Sequence, residues 1–255
     1  MKKLLLISLM MFIAFFARAQ NEPVLPDTMN RTDAKGNKTG FWREDLGKAT
    51  FEQGYYRAGK KDGTWVSYHP AGFVRSVEMY KNGLKNGLFL NIDDRGAIKS
   101  EEYYVNDLLE GVSKNFTYGG RPNMEINYSK GLKHGSCKIY YDMTGKLQEE
   151  SGYKNGKKDG PAKWFNSEGK LVAEYVYKDG ELDGTQVAYY PNGNKQTVEV
   201  YQNGVQVGEF FEYHENGKVR MQGQFVKGQK DGKWTEYDEE GNVSHTSTFK
   251  NGVEK

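Results

Sequence analysis

A glycine recurs at Gly40, Gly63, Gly87, Gly111, Gly135, Gly160, Gly184, Gly208 and Gly232, at intervals of 23, 24, 24, 24, 25, 24, 24 and 24 residues. A fixed period in the range of about 20–50 residues is the mark of a stacked repeat architecture. Each unit of such a chain touches only its neighbours, so its chemistry is spread along a surface instead of gathered in one deep pocket.

Counting from the periodic glycine as offset zero, the other columns identify what repeats. Offset +5 holds Tyr68, Ile92, Phe116, Tyr140, Phe165, Tyr189, Tyr213 and Tyr237. A second glycine stands at +9, an aliphatic residue is common at +11, and +17 is aromatic from Tyr80 to Phe249. Three residues later comes a pair such as Asn82-Gly83, Asp179-Gly180 or Asn203-Gly204. Asn, Asp and Gly tolerate the positive φ of tight hairpin turns, and here they separate short segments rich in aromatic and β-branched residues. A helix is disfavoured, since a glycine in every few turns costs about 1 kcal/mol each relative to alanine. The columns predict an all-β fold: an elongated meander of about nine antiparallel β-hairpins, one per repeat. At a strand spacing of ~4.8 Å it extends on the order of 85 Å, twisted or curved. Strict alternation along the strands predicts that the +5 and +17 aromatics form ladders on one face and that the +2 column faces away from them.

The junctions Tyr153-Lys154-Asn155-Gly156-Lys157-Lys158-Asp159-Gly160 and Tyr177-Lys178-Asp179-Gly180-Glu181-Leu182-Asp183-Gly184, followed by Trp/Phe-x-x-Tyr, resemble MORN-repeat variant proteins. The resemblance covers residues 40–252. Bacterial members are often labelled YwqK-type antitoxin components, so the resemblance implies a non-enzymatic binding or scaffolding role, with a toxin as one class of partner. Eukaryotic relatives are associated with membranes and protein assembly.

The first 19 residues read as a secretory signal peptide: Lys2 and Lys3, an apolar run from Leu4 to Phe16, then Ala17-Arg18-Ala19. They predict an exported protein, periplasmic or secreted, beginning near Gln20 and without a transmembrane segment after cleavage. Residues 20–39 read as a flexible leader and 40–255 as the repeat domain. Without Lys2, Lys3 and Arg18 the chain carries 33 basic and 34 acidic residues, a net charge of −1. That balance gives no basic field for nucleic acid or anionic lipid. With Cys137 as its one cysteine, the chain has no internal disulfide. Asp27-Thr28-Met29 matches a short O-glycosylation pattern of Bacteroidetes envelope proteins.

Catalytic and metal-binding constellations are not evident, and no cofactor, metal or catalytic residue is expected. His69 and His214 share offset +6 but lie about 60 Å apart by strand spacing, and His134 and His245 fall in other columns. Glu78 and Glu102 share offset +15 about 10 Å apart, close to the wide end of inverting glycosidase geometry, although no repeat-breaking loop builds a cleft around them. A glycan-active enzyme is therefore the least favoured reading. Cys137 reads as a structural thiol. The +2 column is the one that varies: Trp42, Trp65 and Phe89, then Ser113, Cys137, Ala162 and Gln186, then Phe210 and Trp234. The large rings either cap the ends of the array or wall a shallow central groove. In the second case Trp42, Trp65, Phe89, Phe210 and Trp234 contact a protein segment or an envelope glycan.

Overall fold

The computed structural model describes residues 29–255, so the signal peptide expected at 1–19 and the glycosylation pattern at Thr28 lie outside the described residues. Among the described residues there are 23 strands and no helix. They form one sheet in which all pairings are antiparallel between neighbouring hairpin arms and the first strand does not pair with the last. The expected open hairpin meander is what forms.

Two kinds of turn alternate. The loop within most repeats spans five residues: His69 N donates to Phe73 O and Gly72 N to His69 O, both at 2.8 Å, and the same pattern recurs at Asp93, Thr117, Asn166, Tyr190, His214 and Asp238. The turn between repeats has two residues, both with positive φ, as in Asn82 at 53° and Gly83 at 87°. This type I′ geometry matches the right-handed twist of the flanking strands. The aspartate before the periodic glycine holds the next such turn. Asp62 accepts from Asn82 N at 3.1 Å, Asp183 from Asn203 N at 3.1 Å and Asp231 from Asn251 N at 3.2 Å. The Asn-Gly-x-x-Asp-Gly junction is thus a hydrogen-bonded clamp between neighbouring repeats.

The periodic glycine itself lies on a bulge. Gln53 pairs with Val66 and Tyr55 with Asp62, so Gly63, Thr64 and Trp65 stand against Gly54 alone. Gly63 takes φ 79° to make that bend, a conformation that a side chain resists. Bulges of this kind bend the strand and increase its twist.

A second bulge corrects the expected arrangement of faces. Tyr68 does pair with Val74, and so +5 meets +11. The register then jumps to Ser67 against Ser76, leaving Arg75 as an extra residue. Alternation therefore does not run unbroken from +11 to +17. The +5 and +17 columns lie on opposite faces, and +17 shares its face with +2. Tyr56 meets Trp65 edge to face at 4.9 Å and Phe89 meets Tyr104 at 4.9 Å, while Tyr68 stacks on Phe51 at 4.6 Å on the other side.

Part of the segment expected as leader is paired. Arg31 and Thr32 face Thr39 and Lys38 across a loop in which Asp33 accepts from the backbone of Lys35 and Asn37, each at 2.9 Å. The Trp42 indole N–H donates to Arg31 O at 3.0 Å. These contacts cover one edge of the first long strand, Lys38–Gly47, the kind of exposed edge that open sheets protect.

Candidate functional site

The face carrying +2 and +17 is the better buried of the two. Trp65, Phe89 and Trp234 are 1%, 5% and 3% exposed, whereas Trp42 and Phe210 are half-buried. Phe210 meets Phe225 at 5.7 Å, Phe225 meets Trp234 at 5.2 Å, and Tyr80 meets Phe89 at 5.4 Å. A lysine two residues before the periodic glycine lies over several of these rings: Lys61 is 4.2 Å from the Trp65 centroid, Lys85 4.8 Å from Phe89, and Lys230 4.2 Å from Trp234. The aliphatic stem covers the ring while the ammonium stays wet. In the middle repeats Cys137, Ala162 and Gln186 are just as covered, at 4%, 1% and 3%. The structure places the five rings in packing contacts and covers Cys137, Ala162 and Gln186 between them, with Ser113 half-buried.

Each buried tryptophan of this column is matched by a glycine on the preceding strand. Trp65 lies on Gly54, at +14 of the preceding 23-residue repeat, and Trp234 lies on Gly223, at +15 of the preceding one. A Cβ at Gly54 would stand 2.5 Å from Trp65 Cδ2, and one at Gly223 2.2 Å from Trp234 Cδ2. Where +15 is instead Ile126 or Ser151, the next +2 residue is Cys137 or Ala162. The bulge also leaves a carbonyl on the preceding strand for the +2 side chain to bond. Trp65 Nε1 donates to Tyr55 O at 3.1 Å, and Gln186 Nε2 donates to the corresponding Val176 O at 3.2 Å. Gly54→Ala and Gly223→Ala are each expected to destabilise the protein by about 1–3 kcal/mol through overpacking, measured by urea unfolding. An unchanged midpoint would contradict this packing.

Glu78 and Glu102 sit on either side of the buried Phe89, each opposite it in register. Tyr80 donates to Glu78 at 2.7 Å with Ser76 adding a bond at 3.0 Å, and Tyr104 donates to Glu102 at 2.8 Å. Burial first, then this hydrogen bond and the carboxylate charge, push Tyr104 up to about 12 and Tyr80 upward as well. The two carboxylates serve as fixed acceptors for tyrosines.

The shared offset of His69 and His214 has a structural origin. His69 Nε2 bonds Ile92 O at 3.0 Å and His214 Nε2 bonds Tyr237 O at 2.9 Å, each reaching the next repeat's loop. A carbonyl only accepts, so Nε2 carries the proton in both. Tyr141 and Tyr190 occupy the same offset and make the same bond, to Phe165 O at 2.9 Å and Tyr213 O at 2.7 Å. His134 is exposed, and His245 bonds Ser247 at 2.9 Å. Cys137 is buried, and burial pushes its thiol up, away from the thiolate that reactive cysteines need.

The opposite face carries a feature that the columns did not reveal. Directly opposed residues cross the sheet as an unbroken row: Val66, Val77, Leu90, Glu101, Lys114, Glu125, Lys138, Glu150, Lys163, Glu174, Val187, Val198 and Phe211. Its centre alternates in charge from strand to strand. Lys138 pairs with Glu150 at 3.3 Å and Lys163 with Glu174 at 2.7 Å. Hydrogen bonds from Lys163 and Tyr189 hold the Glu174 carboxyl below its ordinary range. The +5 tyrosines reach the same row: Tyr189 donates to Glu174 at 2.8 Å, and Tyr68 accepts from Gln53 at 3.0 Å.

A third feature follows from the 25-residue interval between Gly135 and Gly160. The extra residue enlarges the loop from Tyr141 to Lys146, where Gly145 N donates to Tyr141 O at 2.7 Å. Beside it lies an open depression of about 670 Å³ lined by Asn115, Asn123, Ile139, Tyr140 and Met143 among others. Met143 is 92% exposed, and Asn123 Oδ1 is buried without a hydrogen-bond partner.

Comparison with known families matches the MORN repeat variant at residues 158–179, 182–203, 206–227 and 230–251. These four successive units each begin two residues before a periodic glycine and end at the two-residue turn. No curated protein matches the chain.

Proposed function

We propose that the chain is an exported, non-enzymatic repeat scaffold that holds a protein or cell-envelope partner along its extended sheet. The observation that carries this reading is a stripe of exposed leucines. Leu84, Leu108 and Leu132 stand three residues before the periodic glycine in consecutive repeats and are 41%, 49% and 51% exposed, with Val105 beside them at 49%. They recur about 10 Å apart by strand spacing, on a sheet with no second layer over it among the described residues. Apolar side chains aligned this way mark an interaction surface. The four MORN repeat variant units support a scaffolding role, and the resemblance to antitoxin components names a toxin as one class of protein partner.

The test is in-cell crosslinking and affinity capture of the mature protein, beside a Leu84→Asp/Leu108→Asp/Leu132→Asp variant checked for its melting temperature. The reading expects a specific partner that the native chain retains and the folded variant loses. Recovery of no partner, with no binding to peptidoglycan or outer-membrane vesicles, would overturn it. Growth rescue on co-expression with an envelope-acting toxin is the outcome that identifies the partner as a toxin.

A further inference from the structure

The row of opposed residues reads almost the same in both directions from Lys138. Three charges lie on either side of that lysine, Glu125, Lys114 and Glu101 in one direction and Glu150, Lys163 and Glu174 in the other. Beyond them stand Leu90, Val77 and Val66 at one end and Val187, Val198 and Phe211 at the other. Such a row is complementary to a reversed copy of itself. With a two-fold axis parallel to the strands and midway between Glu125 and Lys138, Glu125 faces Lys138, Lys114 faces Glu150, and Glu101 faces Lys163. Each contact is repeated by the symmetry. The same operation brings Val77 of one copy onto Val187 of the other, half-buried side chains both. An axis along the row would instead set each glutamate on its own copy, and like charges so placed repel.

We propose that this face docks a second copy of the same chain, reversed and in register through the alternating row. The in-sheet ion pairs leave the row accessible, since the side chains of Lys138, Glu150, Lys163 and Glu174 remain 37%, 42%, 44% and 34% exposed. Their alternation gives Lys138, Glu150 and Lys163 a neighbour of opposite sign from the facing copy, while Glu174 meets Leu90. The area suffices. From Val66 to Phe211 the row crosses twelve strand spacings, about 58 Å. A contact strip roughly 15 Å wide along it covers about 870 Å², close to the ~800 Å² per partner of a standard interface. Val77 against Val187 adds dry contact, Leu90 and Val66 being already buried within one copy, while the charged centre sets register and direction and makes the dimer salt-sensitive.

The experiment is analytical ultracentrifugation of the mature protein across concentrations up to roughly 100 µM, at low and high salt. Two variants accompany it, one with an all-acidic row (Lys114→Glu/Lys138→Glu/Lys163→Glu) and one with an all-basic row (Glu101→Lys/Glu125→Lys/Glu150→Lys/Glu174→Lys). The native chain is expected to dimerise, more weakly as salt rises. Each variant alone should lose affinity on the order of 100-fold, because like charges then face each other. An equimolar mixture of the two should regain the dimer. Like charges directly opposed within the sheet also weaken folding, so circular dichroism accompanies each sample. Lys114→Gln/Lys138→Gln/Lys163→Gln, which keeps the length and removes the charge, replaces a variant that does not fold and should weaken the dimer too. A native chain that stays monomeric overturns the proposal, as does a dimer indifferent to these substitutions or a folded mixture that fails to reassociate.

Discussion

Trp65→Ala is expected to destabilise the sheet by about 3–5 kcal/mol, the cost of emptying a fully packed aromatic site. Trp65 is 1% exposed, lies on the backbone of Gly54, meets Tyr56 edge to face at 4.9 Å and carries Lys61 at 4.2 Å from its ring. Its indole N–H bonds Tyr55 O at 3.1 Å, so alanine also leaves that carbonyl without its partner. The glycine opposite cannot fill the space. Trp42 offers a control: it is half-buried, with Tyr56 at 5.8 Å and Lys38 at 4.8 Å, and its replacement should cost about 1–2 kcal/mol. Because each repeat touches only its neighbours, the damage should stay near residues 50–90. Urea unfolding of the Trp65→Ala chain is therefore expected to broaden or split, with the distal repeats melting last. Equal losses at the two tryptophans would show that burial is not what sets them apart.

Stability should fall steeply in alkali. Burial first, then the hydrogen bond to and charge of a neighbouring glutamate, push Tyr56, Tyr104, Tyr189 and Tyr201 up to about 12, with Tyr80 raised by the same causes. Their glutamate partners are Glu44, Glu102, Glu174, Glu199 and Glu78. In the unfolded chain a tyrosine ionises near 10. The folded state holds these protons more tightly, so their contribution is complete below about pH 10 and is lost as the pH climbs toward about 12. Partial exposure screens the effect, leaving about 0.5–1 kcal/mol for each tyrosine. Together they amount to several kcal/mol, a large share of a domain's stability. Melting temperature and tyrosinate absorbance, followed together across this range, should show ionisation coupled to unfolding. Tyr201→Phe should make the loss shallower. Tyrosines that ionise near pH 10 in the intact protein would remove this account of their environment.

The period, the turn chemistry and the one-hairpin-per-repeat meander were legible because each is a local property. Asn82-Gly83 demands a tight turn wherever it occurs, and the glycine at each bulge repeats with the unit. The assignment of faces was not legible. A single extra residue such as Arg75 inverts the alternation beyond it, as a one-residue slip does for any strand, and nothing in Val74-Arg75-Ser76 announces it. The role of the +2 rings turns on the same point, since their packing partners are the +17 aromatics, which unbroken alternation would put on the other side. A signal did exist in Gly54 and Gly223, each eleven residues before a tryptophan. The charged row was hidden for a further reason. Glu101, Lys114, Glu125 and Lys138 are spaced 13, 11 and 13 residues apart, an alternation that acquires meaning only when both turn lengths and both bulges are known. Likewise, the pairing of Arg31 and Thr32 with the first long strand depends on Asp33 and Trp42 acting together, which composition does not disclose.

Small-angle X-ray scattering of residues 29–255, dilute and at high salt, tests most directly whether the chain is one open ribbon of hairpins. From Arg43 to Thr246 the opposed row crosses seventeen strand spacings, about 82 Å, which for a narrow ribbon gives a radius of gyration of roughly 25 Å. A compact domain of the same length would give about 17 Å. The account expects the larger value with an elongated distance distribution; a value near the smaller one would contradict it.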